Sequence, residues 1–523
     1  MRSTRSFPKI LMLLAGMLLC LPAAAQMDSG RVTGVVQDES GGAIPGANVT
    51  IRNERTGEER TTRSSGDGQF LFTALKPSTY LLRAESELFQ TGQVSLQLAV
   101  GQQLQHAFSL RVAGDTREVN VTDTIAVTVD TTSARVGANV SQREVNELPI
   151  NGRQLSQLYL QAPGSQNSGS GTFGDIRFSG RSVQQNAIRY DGVEGSGIFD
   201  ASPGVINASF SSPFRLQSSL ENVQEFRVES SNYPAEYGTG TGGQISVVTK
   251  SGSNSFHGSA FEYIRNDALD ASNYFDLPGT QSKLRQNQFG ASLGGPIVKN
   301  KLFFFGSYEG YRLRSSVNFV EAVPSSAACA RAVAAVAQLC TTAFRGPGAV
   351  VLPGASTNAD FEILQLQANN NVNENAGSVR LDYKVNDAWT IYTRFFRDQG
   401  TNDQPEGVTG RRSLVRAVPQ NGVFSVMGVL SPTIINETKF GYNSALTRVI
   451  GSAPNVGNID MSAITLNITG SVANTGIAGQ GASSGIAVPG GLLRQNSASN
   501  GRGAPITPYS LSFIDNLTWV RGD

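Results

Sequence analysis

The chain has 523 residues with 42 Lys and Arg against 41 Asp and Glu, which is a formal net charge of +1. Charges so evenly balanced provide neither a basic surface for nucleic acid nor a strong field for an acidic partner. Hydrophobic residues make up 39% of the sequence, and no long apolar run follows the N-terminus, which excludes a protein built on helical membrane spans. The 57 glycines, with abundant Ser, Thr and Asn, predict short strands joined by turns.

The N-terminus has the three parts of a secretory signal peptide. Basic residues precede the apolar run 10–21, and Ala23, Ala24 and Ala25 follow it. We predict a signal peptide over residues 1–25 with cleavage after Ala25. An uncleaved membrane anchor is the alternative, but the apolar run is shorter than the ~20 residues that a spanning helix needs. The mature chain is therefore predicted to be exported.

Residues 28–112 are predicted to form a small β-sandwich. Short alternating runs recur between turn residues, in the order RVTGVVQ, NVTIRN, QFLFTAL, TYLLRAE and LQHAFSL. About seven such strands suit a transthyretin-like or immunoglobulin-like sandwich. Through GVVQDESGGAIPGANVTI and DGQFLFTALKPSTYLLRAE the block resembles the carboxypeptidase-regulatory-like domain. The resemblance implies an accessory spacer or contact module without peptidase activity.

The segment from Glu118 to Val129, EVNVTDTIAVTV, carries β-branched residues at nearly every other position. One interpretation is a plain edge strand. The other is that its second half resembles a TonB box, the extended peptide at the front of energy-coupled outer-membrane transporters. Because strand addition to a partner's sheet edge uses backbone N–H and C=O groups, almost any β-favouring sequence can serve. The candidate residues are Asp123, Thr124, Ile125, Ala126, Val127, Thr128 and Val129.

Residues 115–250 comprise this segment and a predicted α+β domain. Ser141 has the position of a helix N-cap, and Glu144, three residues later, completes the spacing of a capping box. The blocks LPINGRQLSQLYLQAPG, FSGRSVQQNAIRYDGVEGSG and VQEFRVESSNYPAEYGTGTGGQISVVTKSG follow in order. In that order they resemble the plug domain of the Oar-like TonB-dependent receptors. The resemblance implies a globular plug that ends near Lys250.

The stretch from Val223 to Tyr263 is predicted to be the hinge between this domain and a different kind of β-structure. The alternation in QISV suits a strand. Ahead of it lie glycines that permit backbone conformations other residues resist, namely Gly238, Gly240, Gly242 and Gly243.

Residues 254–523 are predicted to form the first part of a transmembrane antiparallel β-barrel with long loops. In SVRLDYKV, apolar Val379, Leu381 and Tyr383 alternate with Arg380 and Asp382, as expected for lipid outside and a polar lumen inside. A half-buried soluble sheet would give the same alternation in one strand. Export, aromatic strand ends and several successive strands favour the membrane. The opening blocks, FHGSAFEYIRNDALDASNYFD and RQNQFGASLGGPIVKNKLFFFGSYEGYR, also resemble the start of the Oar-like barrel.

The number of strands points to an incomplete barrel. Alternation identifies about eight to ten strands, whereas barrels with a plugged lumen use about 22. A sheet in hydrocarbon has to close on itself, because an open edge would find no hydrogen-bond partner there. We therefore expect the sequence to be an N-terminal fragment of a longer protein. The stretches 320–371 and 470–503 are predicted extracellular loops.

Cys329 and Cys340 are the cysteines that remain after removal of the signal peptide. An oxidising compartment permits a disulfide between them, which we place in an exposed loop. Zinc binding is the alternative, and it is disfavoured because His106 and His257, the only histidines of the chain, lie near neither cysteine. We predict no metal and no other cofactor.

The leading functional hypothesis is an outer-membrane TonB-dependent receptor. The resemblance implies that an extracellular ligand binds the loops and plug, and that TonB then pulls on the box with energy from the inner membrane. The predicted partners are TonB, an unidentified ligand and outer-membrane lipid, with no nucleic acid. The alternative is a structural or adhesive protein that uses the barrel as an anchor. An enzyme is disfavoured because the sequence has no histidine triad, nucleotide-binding glycine motif or convergent carboxylate pair.

Overall fold

The computed structural model describes residues 29–112, 124–125, 135–167, 176–196, 218–233, 238, 240–272, 281–354, 356, 359–431, 433–452, 455, 458, 485–488, 491–494 and 505–519. The predicted signal peptide and most of the TonB-box candidate lie outside these residues. The described chain forms three β-rich bodies. We call them the N-terminal domain (Gly30–Leu110), the middle domain (Val136–Thr249) and the C-terminal sheet (His257–Trp519).

The N-terminal domain is the predicted sandwich. Its strands are β1 (Gly30–Asp38), β2 (Asn48–Asn53), β3 (Glu59–Arg63), β4 (Gln69–Leu75), β5 (Ser78–Glu85), β6 (Gly92–Leu98) and β7 (Gln103–Leu110). One sheet has the order β4-β1-β7 and the other β3-β2-β5-β6. Alternate residues face inwards, so that Val32, Phe72, Leu82 and Leu96 share one apolar core. A further strand, β8 (Thr124–Ile125), pairs in parallel with β6.

The middle domain is built on a five-stranded sheet. Its elements are β9 (Val136–Val140), α1 (Gln142–Glu147), β10 (Ser165–Asn167), β11 (Ile176–Phe178), β12 (Ala187–Tyr190), β13 (Val193–Glu194), β14 (Val223–Ser231) and β15 (Gln244–Thr249). The sheet order is β13-β12-β15-β14-β9. Tyr159 and Phe226 meet edge to face in its core. The capping box is confirmed, because Ser141 caps α1 and Glu144 bonds back to the Ser141 backbone N–H.

Short 3₁₀ turns also occur among the described residues. In the middle domain they span Asn151–Arg153, Leu155–Gln161, Val183–Gln185 and Leu220–Asn222, and in the C-terminal sheet Asp267–Leu269 and Gly407–Thr409. Among the helices that the structure describes, none has both the length and the apolarity needed to cross a membrane.

The four hinge glycines serve two different purposes. Gly238 and Gly240 have positive φ angles of 67° and 79°, as predicted. Gly242 and Gly243 are needed for close packing, since a Cβ would lie 2.4 Å from Asn186 Oδ1 and 2.3 Å from the Phe178 ring, respectively. The prediction of special backbone conformations therefore holds for the first two glycines only.

The C-terminal sheet consists of long antiparallel strands and a few short ones. The strands are β16 (His257–Asn266), β17 (Leu284–Val298), β18 (Leu302–Pro324), β19 (Val350–Val351), β20 (Phe361–Lys384), β21 (Trp389–Glu406), β22 (Arg411–Ser431), β23 (Ile434–Ser452), β24 (Gly485–Val488), β25 (Gly491–Arg494), β26 (Pro505–Ile506) and β27 (Tyr509–Trp519). The long strands run in the order β16-β17-β18-β20-β21-β22-β23-β27. Within the described residues, β16 and β27 are the two ends of this sheet.

The two ends of the strands differ. At the short-turn end, brief connections at 299–301, 385–388 and 432–433 join successive strands. At the long-loop end, the connection 325–360 contains α2 (Ser326–Ala330) and α3 (Ala334–Ala343). This asymmetry is typical of outer-membrane barrels, whose periplasmic turns are short and whose extracellular loops are longer.

The two faces of the sheet also differ, as the alternation predicted. Val379, Leu381 and Tyr383 are 61%, 39% and 37% exposed, whereas Arg380 and Asp382 between them are buried. We call the face of the first three the outer face and the opposite one the inner face. The middle domain packs on the inner face, where Val193 lies with Tyr392 and Val423 in a small apolar cluster.

Candidate functional site

The most heavily charged buried site lies where the middle domain meets the inner face of the C-terminal sheet. The Asp191 carboxylate accepts a hydrogen bond from Arg394 Nε at 2.7 Å and lies 3.4 Å from Arg380 Nη1. Arg380 in turn holds Asp382 with two parallel bonds of 2.8 and 3.0 Å. The side chains of Asp191, Arg380 and Arg394 are at most 5% exposed. We call these four residues the ionic cluster.

A tight turn places Asp191 in this cluster. β12 and β13 are joined by Asp191 and Gly192 alone, with φ angles of 52° and 82°. Positive φ at both central residues is the geometry of a type I′ hairpin turn, for which Asp-Gly is a favoured pair. The turn extends towards the C-terminal sheet. Thr249 donates two hydrogen bonds to the Asp191 carboxylate, from its backbone N–H at 3.0 Å and from its hydroxyl at 2.8 Å.

The surroundings keep the Asp191 carboxylate ionised. Burial raises its pKa, but the guanidiniums of Arg394 and Arg380 and the two bonds from Thr249 outweigh burial and lower the pKa to about 2. Lys439 Nζ adds a bond to the Asp191 carbonyl at 3.3 Å. The contact is thus a permanent charge pair over the physiological pH range, and it joins two bodies that are otherwise separate in sequence.

Further polar contacts follow the same interface. Arg153 of the middle domain lies 4.1 Å above the Phe261 ring and forms a 2.9 Å ion pair with Glu221. Glu221 accepts a bond from the Ser259 hydroxyl at 2.6 Å. Glu309 on β18 accepts bonds from Ser219 of the middle domain and from Gln288. The middle domain is therefore held to several neighbouring strands by hydrogen bonds and charge, with limited apolar contact.

The N-terminal domain reaches the same site from the short-turn end. Lys76 Nζ lies 3.4 Å from Asp382 of the ionic cluster and 4.4 Å from the centre of the Tyr392 ring. The Gln224 side chain donates to the Pro77 carbonyl at 3.0 Å. The Arg55 guanidinium donates to the Ser251 carbonyl at 3.2 Å. All three bodies therefore meet at one place.

Glu225 is the second buried carboxyl of this junction. It accepts a hydrogen bond from the backbone N–H of Val100 in the N-terminal domain. Burial raises the pKa of Glu225 to about 7, although the Val100 bond and the Arg55 charge oppose the rise. Unlike Asp191, this group changes its charge near neutral pH.

A cavity of about 80 Å³ lies at this junction. Its lining comes from all three bodies and combines the charged Arg55, Asp191 and Arg380 with the apolar Phe303 and Met427. The space and the polar partners suit bound water. Within the described residues, no group of three or more His, Cys, Asp or Glu side chains is placed to hold a metal ion.

The structure places two of the seven TonB-box candidates. Thr124 and Ile125 form β8, which continues the sheet of the N-terminal domain beside Ser95 and Leu96. Asp123, Ala126, Val127, Thr128 and Val129 lie outside the described residues. Thr124 and Ile125 therefore pair at a sheet edge, and the role of the segment as a box stays a prediction.

The two candidate cysteines lie together. Cys329 and Cys340 form a disulfide with an S–S distance of 2.06 Å. The placement in an exposed loop is wrong for Cys329, which is 1% exposed, because α2 and α3 fold against the extended ends of β18 and β20. Phe344, Leu364 and Val408 form a separate small core there.

The ionic cluster was missed by reasoning from sequence. YDG lies within one of the blocks that resemble the plug domain, but no role was predicted for Asp191, and no convergent carboxylates were identified. Asp191, Asp382 and Glu225 are buried. One local signal existed, namely an Asp-Gly pair between two short alternating runs, which predicts a hairpin turn but not its charged partners.

Two family models match the chain. The model described as outer membrane beta barrel domain matches residues 248–523, and the one described as carboxypeptidase regulatory-like domain matches residues 31–111. The TonB-dependent transporter Oar of Myxococcus xanthus is 30% identical over 319 residues, which is 56% of this chain and 28% of that protein's length.

Solved structures with similarity to the chain include a transporter and a receptor. The outer membrane transporter YddB of Escherichia coli matches with a TM-score of 0.41 and 14% identity, over 60% of this chain and 39% of that one. The siderophore receptor PirA of Acinetobacter baumannii matches with a TM-score of 0.39 and 14% identity, over 60% of this chain and 40% of that one.

Proposed function

The chain belongs to the outer-membrane β-barrel family, and on that basis we propose that it acts as a TonB-dependent receptor that binds an extracellular ligand and imports it into the periplasm. In this proposal the middle domain is the plug, the C-terminal sheet is barrel wall and the N-terminal domain lies in the periplasm. The similarity to Oar supports the assignment.

The ionic cluster is the observation that carries the proposal. A plug has to be stable in the barrel at rest and yet be able to move when pulled. Asp191 is held by Arg380 and Arg394 on two adjacent strands of the wall. Charge pairs of this kind can be exchanged for water when a channel opens, whereas a large apolar interface would resist hydration. The interface is therefore suited to a domain that is held firmly and released by force.

The coupling step is proposed to use residues 123–129. TonB would add its sheet edge to this segment through backbone hydrogen bonds. Force on the segment then reaches the plug directly, because β9 of the middle domain begins at Val136, only a few residues further along. The cavity beside the ionic cluster is the proposed starting point of the path through the plug.

The test uses the soluble C-terminal domain of TonB as the probe. We expect the full chain to bind it and the Ile125→Pro variant to lose binding at least about tenfold, because proline removes a backbone donor from the augmenting strand. Ile125→Ala is the matched control, since it keeps the N–H, and it should bind like the wild type. Equal binding by the proline variant would refute the box assignment.

The adhesive alternative predicts a different result. A barrel that serves only as an anchor needs no energy coupling, so its wild-type chain would not bind the TonB domain. In cells, cargo uptake that survives collapse of the proton gradient would likewise favour the anchor.

A further inference from the structure

Seven arginines lie on the outer face of the C-terminal sheet, towards its long-loop end. Side chains two residues apart on a strand share a face, so Arg416 lies on the face of exposed Phe424, and Arg448 on the face of exposed Phe440. The cross-strand registers place the others on that same face. We call this set the arginine band, which comprises Arg285, Arg312, Arg314, Arg397, Arg412, Arg416 and Arg448.

The band lies next to the apolar part of the outer face. On β27 the outward-facing residues from Tyr509 to Trp519, both more than 60% exposed, are apolar except for Asp515, which accepts hydrogen bonds from Asn436 and Thr438 of β23. Ten residue steps of about 3.3 Å, tilted by about 40°, give a height of about 25 Å, which is the height of the lipid-facing band of such barrels. Tyr509 pairs with Ser444, and Arg448 lies four residues beyond Ser444 towards the long-loop end. The arginines therefore begin where the apolar band ends.

Two pairs of arginines face each other directly. Arg285 pairs across strands with Arg314, and Arg416 with Arg448. All four side chains are exposed. Like charges in opposite positions on one face destabilise a sheet. Bound negative charge would therefore stabilise the sheet at both of these pairs.

Carboxylates of the described residues supply that counter-charge at one position only. Within the described residues, the one ion pair in the arginine band joins Arg412 to Asp403, at 2.8 Å. Arg312 and Arg314 instead bond to the amide oxygens of Asn375 and Asn373, at 2.6 and 2.7 Å. These bonds hold the guanidiniums in fixed positions and leave their charges uncompensated.

We propose that the arginine band binds lipid headgroups that carry two or more phosphates, in the outer leaflet of the membrane. Guanidinium groups bind phosphate with paired, charge-assisted hydrogen bonds. A lipid is the fitting source of the phosphate because the arginines share their face with side chains that contact acyl chains, whereas a transported anion would meet the inner face. The assignment goes beyond the proposed transport function and does not depend on it.

The binding test uses the full chain in phosphatidylcholine vesicles that contain a few per cent of a diphosphorylated lipid A. We expect the purified wild type to retain this lipid, measured by native mass spectrometry. Arg285→Gln/Arg314→Gln and Arg416→Gln/Arg448→Gln should each reduce retention about tenfold, as the loss of charge-assisted bonds requires. Arg52→Gln/Arg63→Gln, which removes two exposed arginines of the N-terminal domain, is the matched control and should retain the lipid fully.

A second variant separates binding from folding. Arg314→Glu turns a like-charged pair into an opposite-charged one, so it should raise the thermal stability of the chain in neutral detergent while it lowers lipid retention. Equal retention by the wild type and the paired variants would overturn the proposal. So would equal retention of singly charged phosphatidylglycerol, or displacement of the lipid by millimolar soluble pyrophosphate, which would indicate a site for free anions.

Discussion

Asp191 and Arg394 are 203 residues apart in sequence, yet a 2.7 Å charged hydrogen bond between them joins the middle domain to strand β21 of the C-terminal sheet. Each side chain is at most 4% exposed. Removal of one partner therefore leaves the other charge buried without its counter-ion, which is far more costly than the loss of a surface pair.

Asp191→Ala should loosen the middle domain. We expect a destabilisation of about 3–5 kcal/mol, the usual cost of breaking a buried ion pair, seen as faster amide exchange in β12 and β15 with little change in the N-terminal domain. The control is Asp387→Asn, which removes an exposed carboxylate at the short-turn end and should leave exchange unchanged. Equal protection in both variants would show that the ionic cluster does not hold the domain.

The packing of the N-terminal domain over the buried Glu225 should weaken as pH rises. The pKa of Glu225 in the folded chain is raised to about 7 from its ordinary 4.5, so its contribution to docking is fully present below pH 4.5 and is lost as pH rises through 7. The loss is on the order of 3 kcal/mol. Spin labels on Ser40→Cys and Lys299→Cys would report the distance between the N-terminal domain and the sheet. We expect a broader distance distribution at pH 8 than at pH 5, and none of this pH dependence in Glu225→Gln.

The ionic cluster should behave in the opposite way. The pKa of Asp191 is lowered from 3.8 to about 2, so its contribution is present above pH 3.8 and is lost only as pH falls through 2. Exchange protection of β12 should thus be constant between pH 5 and pH 8, after correction for intrinsic exchange rates. A loss of protection within that range would contradict the assignment of Asp191 as a permanent charge.

Gly441→Ala should disturb the fit between the middle domain and the sheet. A Cβ at this position would lie 2.3 Å from Val193 Cγ1, so the hairpin that carries Asp191 would have to shift. Overpacking of this kind costs about 1–3 kcal/mol, measurable as a lower unfolding midpoint. Gly306→Ala is the matched control on the same sheet, because its Cβ would meet nothing closer than 3.9 Å.

Removal of the disulfide should affect the long-loop end alone. A cross-link over so short a loop contributes about 3 kcal/mol. Cys329→Ser/Cys340→Ser should therefore make the connection 325–360 sensitive to protease while the midpoint of the N-terminal domain stays the same. Unchanged cleavage would mean that the small core around Phe344 holds the connection by itself.

Much of the architecture could be predicted from the sequence because it depends on local patterns. Period-two alternation predicted both the sandwich strands and the two faces of β20, and the Ser141 to Glu144 spacing predicted the cap of α1. The limits 28–112, 115–250 and 254–523 stay predictions. Gly243 was predicted to provide an unusual backbone conformation, but it is needed because the Phe178 ring leaves no room for a Cβ. That ring comes close to Gly243 only in the folded domain.

By itself, the sequence determined the kinds of element, their order and, for β20, which residues lie on the outer face, since these depend on neighbours within a few residues. Only the tertiary structure decided that Asp191 meets Arg380 and Arg394, and that Arg285 stands opposite Arg314. Such pairs depend on which strands become neighbours and in which register. The residues around a charged side chain do not indicate its distant partner in the fold.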